Sequence, residues 1–262
     1  MGDKNVDFVI SIAINSLENY VGHIREHVGQ WGKEAVPWFR GEPVCDTPLV
    51  PRVYRSTGGR KHYENRLLQM FRMRAPSFSR DPTPGREDTD QWLFLAQHVG
   101  LPTRLLDWTE SALVALYFAL RESEPVVWML DPFALNGLSV TPPTQGDTAV
   151  EAKTFPLTWF DPRGMVKNIG VENVKAAWEI GYPGLPLPVA VHPTYVHTRM
   201  SAQRSMFTIH GAKREPLCEL AQKPLRRFTI DIDRIPQLRS DMHMLGVHHS
   251  TAFPDLDGLA DE

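Results

Sequence analysis

The 262-residue sequence predicts an α+β fold: one domain over 1–262, N-terminal helices packed on a mixed or antiparallel sheet. Three observations carry that prediction. Ser16 to Trp31 is amphipathic, with Leu17, Tyr20, Val21, Ile24, Val28 and Trp31 at helical spacing. The apolar runs Val126–Leu130, Pro188–Val191, Met206–His210 and Arg226–Ile232 have the length of strands, so strands concentrate in the later half. No repeat and no long linker divides the chain, which leaves an N-terminal helix over about 14–31 and one core over 35–262.

The elements follow in order. Ala35–Phe39 is a short strand ending at Arg40. Leu49–Tyr54 is extended, and Pro48 and Pro51 confine it to an edge or loop. Tyr63–Met73 is a helix, with Tyr63, Leu67, Met70 and Phe71 on one side and Arg66 on the other. Asp88 and Gln91 have capping-box spacing for a helix over Thr89–Val99, which Gly100-Leu101-Pro102 stops. Asp107 and Glu110 offer a similar start for a helix over Thr109–Arg121. Apolar almost all round, that helix belongs inside the domain. Val171–Ile180 is helical between Pro/Gly-rich loops at Ser139–Val150 and Gly181–Pro188, and Pro236–Leu245 is a late helix.

Composition excludes several classes. With 42% hydrophobic and 23% charged residues the chain is ordinary for a globular protein, and its net charge of −3 gives no global attraction to nucleic acid. The charge is unevenly spread, however. Arg52 to Arg86 holds eight Arg and one Lys against Glu64 and Asp81, a net +7 that leaves −10 for the rest. Such a segment is either a solvated face or an anion-binding surface. Cys45 and Cys218 make no disulfide framework. The N-terminus lacks a basic start and long apolar core, and no run reaches the roughly 20 apolar residues of a membrane helix. The expectation is a cytoplasmic protein without a membrane partner.

Two segments hold polar groups beside apolar ones, where burial is costly unless the groups are bonded or used. In Trp38-Phe39-Arg40-Gly41-Glu42 the guanidinium of Arg40 suits phosphate or carboxylate, and Gly41 permits close approach. An ion pair of Arg40 with Glu42 or Asp107 is the equally available structural role. The turn Gly100–Ser111 carries Thr103, Arg104, Asp107, Thr109, Glu110 and Ser111 at a helix start, where free N–H groups favour an anion. Asp107 is better suited to capping or to pairing an arginine than to acid catalysis, and Thr103 and Arg104 are the better ligand candidates. His98 sits at a helix end. Gln203 and Arg204 precede a strand, where they can face a cleft rim or solvent.

His243, His248 and His249, with Asp241, Asp255 and Asp257 nearby, follow no ligand spacing, so no metal site is expected. There is no Gly-x-Ser-x-Gly, no P-loop and no Gly-x-Gly-x-x-Gly.

With these motifs the chain resembles FRG-domain proteins of bacteria and phages, a family named for the triplet present here as Phe39-Arg40-Gly41. The resembling segments are Trp38–Glu42, Leu49–Arg55, Gln91–Ala119, Ala202–Ile209 and Phe253–Ala260, nearly the whole chain. The most specific is the core Gly-Leu-Pro-Thr-Arg-Leu-Leu-Asp-Trp-Thr from Gly100 to Thr109. The order of polar residues is also similar to the arginine–serine–glutamate layout of ADP-ribosyltransferases, which carries with it a split sheet. On that similarity the positions are Arg40, then Thr103 or Ser111, then Gln203. Because Gln203 replaces a carboxylate, either Glu42 or Glu215 supplies the charge or activity is absent. NAD is then the substrate, with Arg40, Thr103, Arg104, Asp107 and Ser111 around it. The implied role is a toxin or phage-defence effector that modifies a nucleic acid or protein. Arg52–Arg86 would receive nucleic acid, and an antitoxin or regulatory protein is a partner to look for. The alternatives are a non-catalytic module binding a nucleotide, nucleic acid or partner, and a metal-independent nuclease using His98 with Arg104. A shared site requires Arg40 within hydrogen-bonding range of Asp107 or Thr109, with Gln203 on the same wall.

Overall fold

In the computed structural model, residues 9–32, 35–43, 49–56, 63–79, 82–139, 187–195 and 198–261 are described. Seven strands pair into one sheet: β1 (Ile10–Ile14), β2 (Trp38–Glu42), β3 (Leu105–Thr109), β4 (Val126–Leu130), β5 (Val189–Val191), β6 (Ser205–Ile209) and β7 (Leu225–Ile230). Their order is β1-β7-β4-β2-β3-β6-β5. Only β1 and β7 run parallel; every other neighbouring pair is antiparallel, so the expectation of a mixed sheet holds.

The helix α1 (Leu17–Trp31) starts where Ser16 Oγ accepts from the Asn19 N–H, and stops at Gly32 with φ 122°. Its apolar stripe covers β1, β7 and β4 together with α5 (Ala112–Ala119) and the late helix Ile235–Met244. On the same face, α3 (Tyr63–Arg74) and α4 (Thr89–His98) cover β3, β6 and β5. The opposite face packs Trp38, Leu106, Trp108 and Trp128 under Leu135 of α6 (Pro132–Ser139) and Leu217 of the short α8 (Leu217–Leu220).

Several expectations are corrected. Leu49–Tyr54 is not extended: α2 spans Arg52–Ser56, because Pro51 is compatible with a first helical turn and its carbonyl accepts from Tyr54 N–H. The helix expected from Thr109 to Arg121 is shorter, and the residues before it form β3. Leu105–Thr109 pairs five residues with β6, burying Leu106 and Trp108 on one face and Leu105 and Thr109 on the other. Asp107 is therefore a mid-strand residue rather than a cap. Ser111 caps α5, its Oγ accepting from Val114 N–H at 3.3 Å. Asp88 occupies the expected cap position of α4 but accepts instead from Gly85 N–H. Among the described residues four of the seven strands precede residue 131, so there strands do not concentrate in the later half. Ile14, expected inside the N-terminal helix, ends β1. The expected helix Val171–Ile180 lies outside the described residues. So do its flanking loops, apart from Ser139, Leu187 and Pro188. No helix among the described residues is long and apolar enough to cross a membrane.

Two features of this fold create a cleft. β2 and β3 share a single paired position, Phe39 with Thr109, whereas β2 pairs with β4 at five. The sheet is continuous but thinly joined there. Above this joint, α5 lies on one side and the C-terminal end of α4 on the other.

Candidate functional site

The cleft has a volume of about 270 Å³. Its floor is apolar and aromatic, with Phe39 and Phe207 from the strands and Phe118 from α5. Gln97 and His98 from α4 form one wall; Arg199 and Met200 of α7 (Thr198–Ala202), followed by Gln203, form another. Arg40 and Asp107 stand at the joint between them.

Arg40 is the element around which the joint is built. Its Nε donates to Glu42 Oε1 at 3.1 Å, and its Nη1 donates to the Asp107 carbonyl at 2.8 Å. The guanidinium thus satisfies a backbone acceptor in a region where β2 and β3 barely pair. The Asp107 carboxylate is farther away, 3.7 Å from Nη1, with its side chain 58% exposed. Glu42 is buried and fully engaged, since its Oε2 accepts from Trp128 Nε1 at 3.0 Å. It orients Arg40 from beneath and is not on the cleft wall.

Gly41 explains how α5 can come so near. A Cβ built there would lie 1.9 Å from the Ala115 carbonyl oxygen and 2.6 Å from Ala119 N. The helix therefore rests directly on the β2 backbone, and Val114, Ala115 and Phe118 reach the cleft. Close approach, not an unusual dihedral, is the reason for this glycine.

Thr103 is buried, away from the cleft wall. Its hydroxyl donates to Gln97 Oε1 at 2.6 Å, and Gln97 Nε2 donates to Asp107 Oδ2 at 2.8 Å. Thr103 thus acts through Gln97, fixing which end of that amide faces the carboxylate. Arg104 is likewise displaced from the cleft. Its Nε and backbone N–H bind the two oxygens of Glu64, each at 2.7 Å. Burial pushes the Glu64 carboxyl up, and Arg104 pulls it back only in part. Ser111 serves the α5 cap. Glu215 is exposed and not on the cleft wall.

Gln203 does line the cleft, on the wall opposite α4. Its amide Nε2 donates to the Ala252 carbonyl at 2.9 Å, and its own carbonyl accepts from Thr109 Oγ1 at 2.6 Å. The structure thus brings Arg40, Asp107 and Gln203 to one cleft and leaves Thr103, Arg104, Ser111 and Glu42 behind it. Gln97 and Arg199 are lining residues that sequence reasoning missed. Gln97 had a signal, a polar residue one position before His98 at a helix end. Arg199 had none, being one basic residue in an irregular stretch. It stacks over Phe253 at 4.2 Å, and burial lowers its pKa despite the carboxylates of Asp255 and Asp107.

Arg55, from the basic segment, lies close enough to feel the charge of Arg40, but neither it nor Arg52 lines the cleft. Arg52 Nη1 donates to the Gly100 carbonyl at 3.0 Å, Arg55 Nε donates to the Val50 carbonyl, and burial, helped by the charge of Arg40, lowers the pKa of Arg55. Arg72 is spent elsewhere, over Trp92 and on the Arg86 carbonyl. Arg60, Lys61, Arg80 and Asp81 lie outside the described residues. Among the described residues no group of three or more His, Cys, Asp or Glu is placed to hold a metal ion.

Comparison with known families gives one match, to the FRG domain over residues 36–126. No curated protein and no solved structure matches the chain. The match is shorter than the resemblance read from the sequence: Ala202–Ile209, with Gln203, and Phe253–Ala260 fall outside it. Residues 36–126, which supply the Arg40–Asp107 contact, Gly41 and the whole of α5, are similar to the FRG domain.

Proposed function

We propose that the cleft binds a nucleotide and that the chain transfers ADP-ribose from NAD, as a toxin or phage-defence effector. The observation that carries this reading is Arg40: it lines an aromatic-floored cleft, and two of its five donors are held by Glu42 and Asp107, which fixes the orientation of its guanidinium. An arginine oriented in this way suits the pyrophosphate of a dinucleotide. The cleft takes one nucleoside-sized half, and the other half extends toward Arg52 and Arg55. The thin β2–β3 joint is the counterpart, in a continuous sheet, of the opening that a split sheet would provide.

Gln203 cannot supply a charge, and Glu42 is spent on Arg40 and Trp128. Asp107 is the carboxylate among the described cleft residues, and it takes the electrostatic role. As the ribose–nicotinamide bond breaks, its electron pair leaves with nicotinamide. Asp107 stabilises the cationic ribose carbon, to which an acceptor lone pair bonds. The acceptor's proton passes to Asp107 or to water. Such chemistry needs a held substrate and a placed negative charge more than a strong base.

The test is incubation of the full chain with labelled NAD and RNA, DNA or protein acceptors. Transfer should be lost in Asp107→Asn, whose half-exposed side chain can change without unfolding the protein, and in a folded Arg40→Ala. Toxicity on expression should vanish with it. Turnover retained in both variants would overturn the proposal. A second reading, a non-catalytic nucleotide-binding module, is favoured by the ties of Asp107 to Gln97 and of Gln203 to Ala252; it predicts saturable binding without transfer. The nuclease reading loses its pair, because Arg104 is held by Glu64 away from His98.

A further inference from the structure

A second pocket, of about 390 Å³, lies beyond α5 among the late helix α9 (Ile235–Met244), α10 (His249–Ala252) and Asp261. Five of its lining residues are cationic or can become so: Arg121, Arg239, His243, His248 and His249. Asp261 is the lining carboxylate, 3.9 Å from His249 Nε2 and 75% exposed. Leu120, Met242 and Val247 add an apolar wall. We propose that this pocket is an anion site for a small organic phosphate, and that it binds more tightly as pH falls.

The geometry sets both parts of the proposal. Arg239 is anchored, its Nε and Nη2 donating to the Leu120 carbonyl at the end of α5, so its guanidinium is held at the pocket wall. Arg121 follows from the same helix end and is exposed. Two guanidinium groups converging on one cavity suit a dianion, and the apolar wall suits an organic body attached to it. On the remaining side, Tyr117 Oη lies 2.7 Å from His249 Nδ1, which holds that ring in place.

The pH dependence comes from His243 and His248, whose Nδ1 atoms are 3.1 Å apart with rings nearly perpendicular. A contact between two ring nitrogens accommodates one hydrogen. If both rings are protonated, N–H faces N–H and the contact becomes repulsive. A phosphate oxygen entering between them accepts from both rings and so permits the second proton. Binding is thereby linked to proton uptake, and histidine is the side chain that gains charge between pH 8 and 6. The groups facing the pair are Arg121 and Tyr117 from α5 and its end, Arg239 from α9, His249 from α10, and Asp261. Arginine is charged throughout this interval. A phosphate monoester, doubly charged at pH 8, gives up part of its second charge at about pH 6, which opposes tighter binding there. A gain in affinity at pH 6 therefore comes from the histidine pair.

The experiment is calorimetric titration of the full chain with phenyl phosphate and, separately, inorganic phosphate at pH 6 and pH 8. Phenyl phosphate should bind saturably at pH 6, more tightly than inorganic phosphate, and weaken by about tenfold at pH 8, one charge-assisted contact's worth. The double variant Arg121→Gln/His243→Gln should lose most of that binding; both residues are exposed, so the fold is retained. Absence of saturable binding at pH 6, pH-independent affinity, or full affinity in the double variant would each overturn the proposal. None of these outcomes bears on NAD transfer in the cleft.

Discussion

Replacing Gly41 by alanine tests whether α5 truly rests on the β2 backbone. The added methyl would meet the Ala115 carbonyl oxygen at 1.9 Å, Ala119 N at 2.6 Å and the Ala115 carbonyl carbon at 2.9 Å. All three are backbone atoms, so no side-chain rotation relieves the clash. β2 is held to β4 at five positions, which leaves α5 as the part that moves. Ordinary contact begins at 3.4 Å, so the helix must retreat by about 1.5 Å. Val114, Ala115, Leu116 and Ala119 are all buried and lose contact together. Overpacking of this kind costs about 1–3 kcal/mol, and a clash with backbone belongs at the upper end. For a chain of this size that is a fall in Tm of roughly 6–12 °C. Thermal melts followed by circular dichroism should show it. Gly22→Ala is the control: Gly22 lies inside α1 with nothing within 4 Å of an added Cβ, and the change should stabilise by up to about 1 kcal/mol. A Gly41→Ala protein melting within about 2 °C of the parent would refute the reasoning, since that corresponds to less than 1 kcal/mol.

Two further outcomes follow from buried charge. Arg104→Ala strands the Glu64 carboxylate and should cost about 3–5 kcal/mol in chemical denaturation at pH 8. Burial already raises the Glu64 pKa, and removing Arg104 deletes the main opposing influence. A raised carboxyl pKa leaves stability fully present below the unfolded value and lost as pH rises through the folded one, so the variant should recover at pH 5. An equal deficit at pH 5 and pH 8 would contradict this. His210 is buried and donates through Nε2 to the Glu215 carbonyl, which leaves Nδ1 without a partner, and burial lowers its pKa to about 4. Its neutral form therefore contributes stability that is full above the unfolded value near 6.5 and is lost as pH falls toward about 4. His210→Gln keeps a donor without titrating and should flatten that acid limb; an unchanged slope between pH 6.5 and 4 would show that other groups produce it.

Much of the fold was legible in local pattern. α1 announces itself by Ser16 and its apolar spacing, and β4, β6 and β7 by short apolar runs of strand length. In each case the periodicity of burial is written into neighbouring residues. β3 was not legible. Leu105–Thr109 is buried on both faces, so it shows no alternation, and two cap-like acids beside it suggested a helix start. What made it a strand was pairing with β6, a hundred residues later. β1 was missed because it is an edge strand whose partner is the last strand of the sheet.

The candidate site divides in the same way. The residues around Arg40 could be read from sequence because their chemistry is local: a buried arginine needs a partner, and Glu42 stands two positions away. A glycine beside it signals close approach. Only the tertiary structure decided that Arg40 and Asp107 meet across 67 positions, and that the nearer contact is the Asp107 carbonyl rather than its carboxylate. Every residue carries a carbonyl, so no residue type marks it as a partner. The strand pairing that presents this one depends on the whole sheet. The cleft exists for the same reason, since Arg40, Gln97, Arg199 and Gln203 line one cavity only once α4, α5 and α7 are laid over the β2–β3 joint.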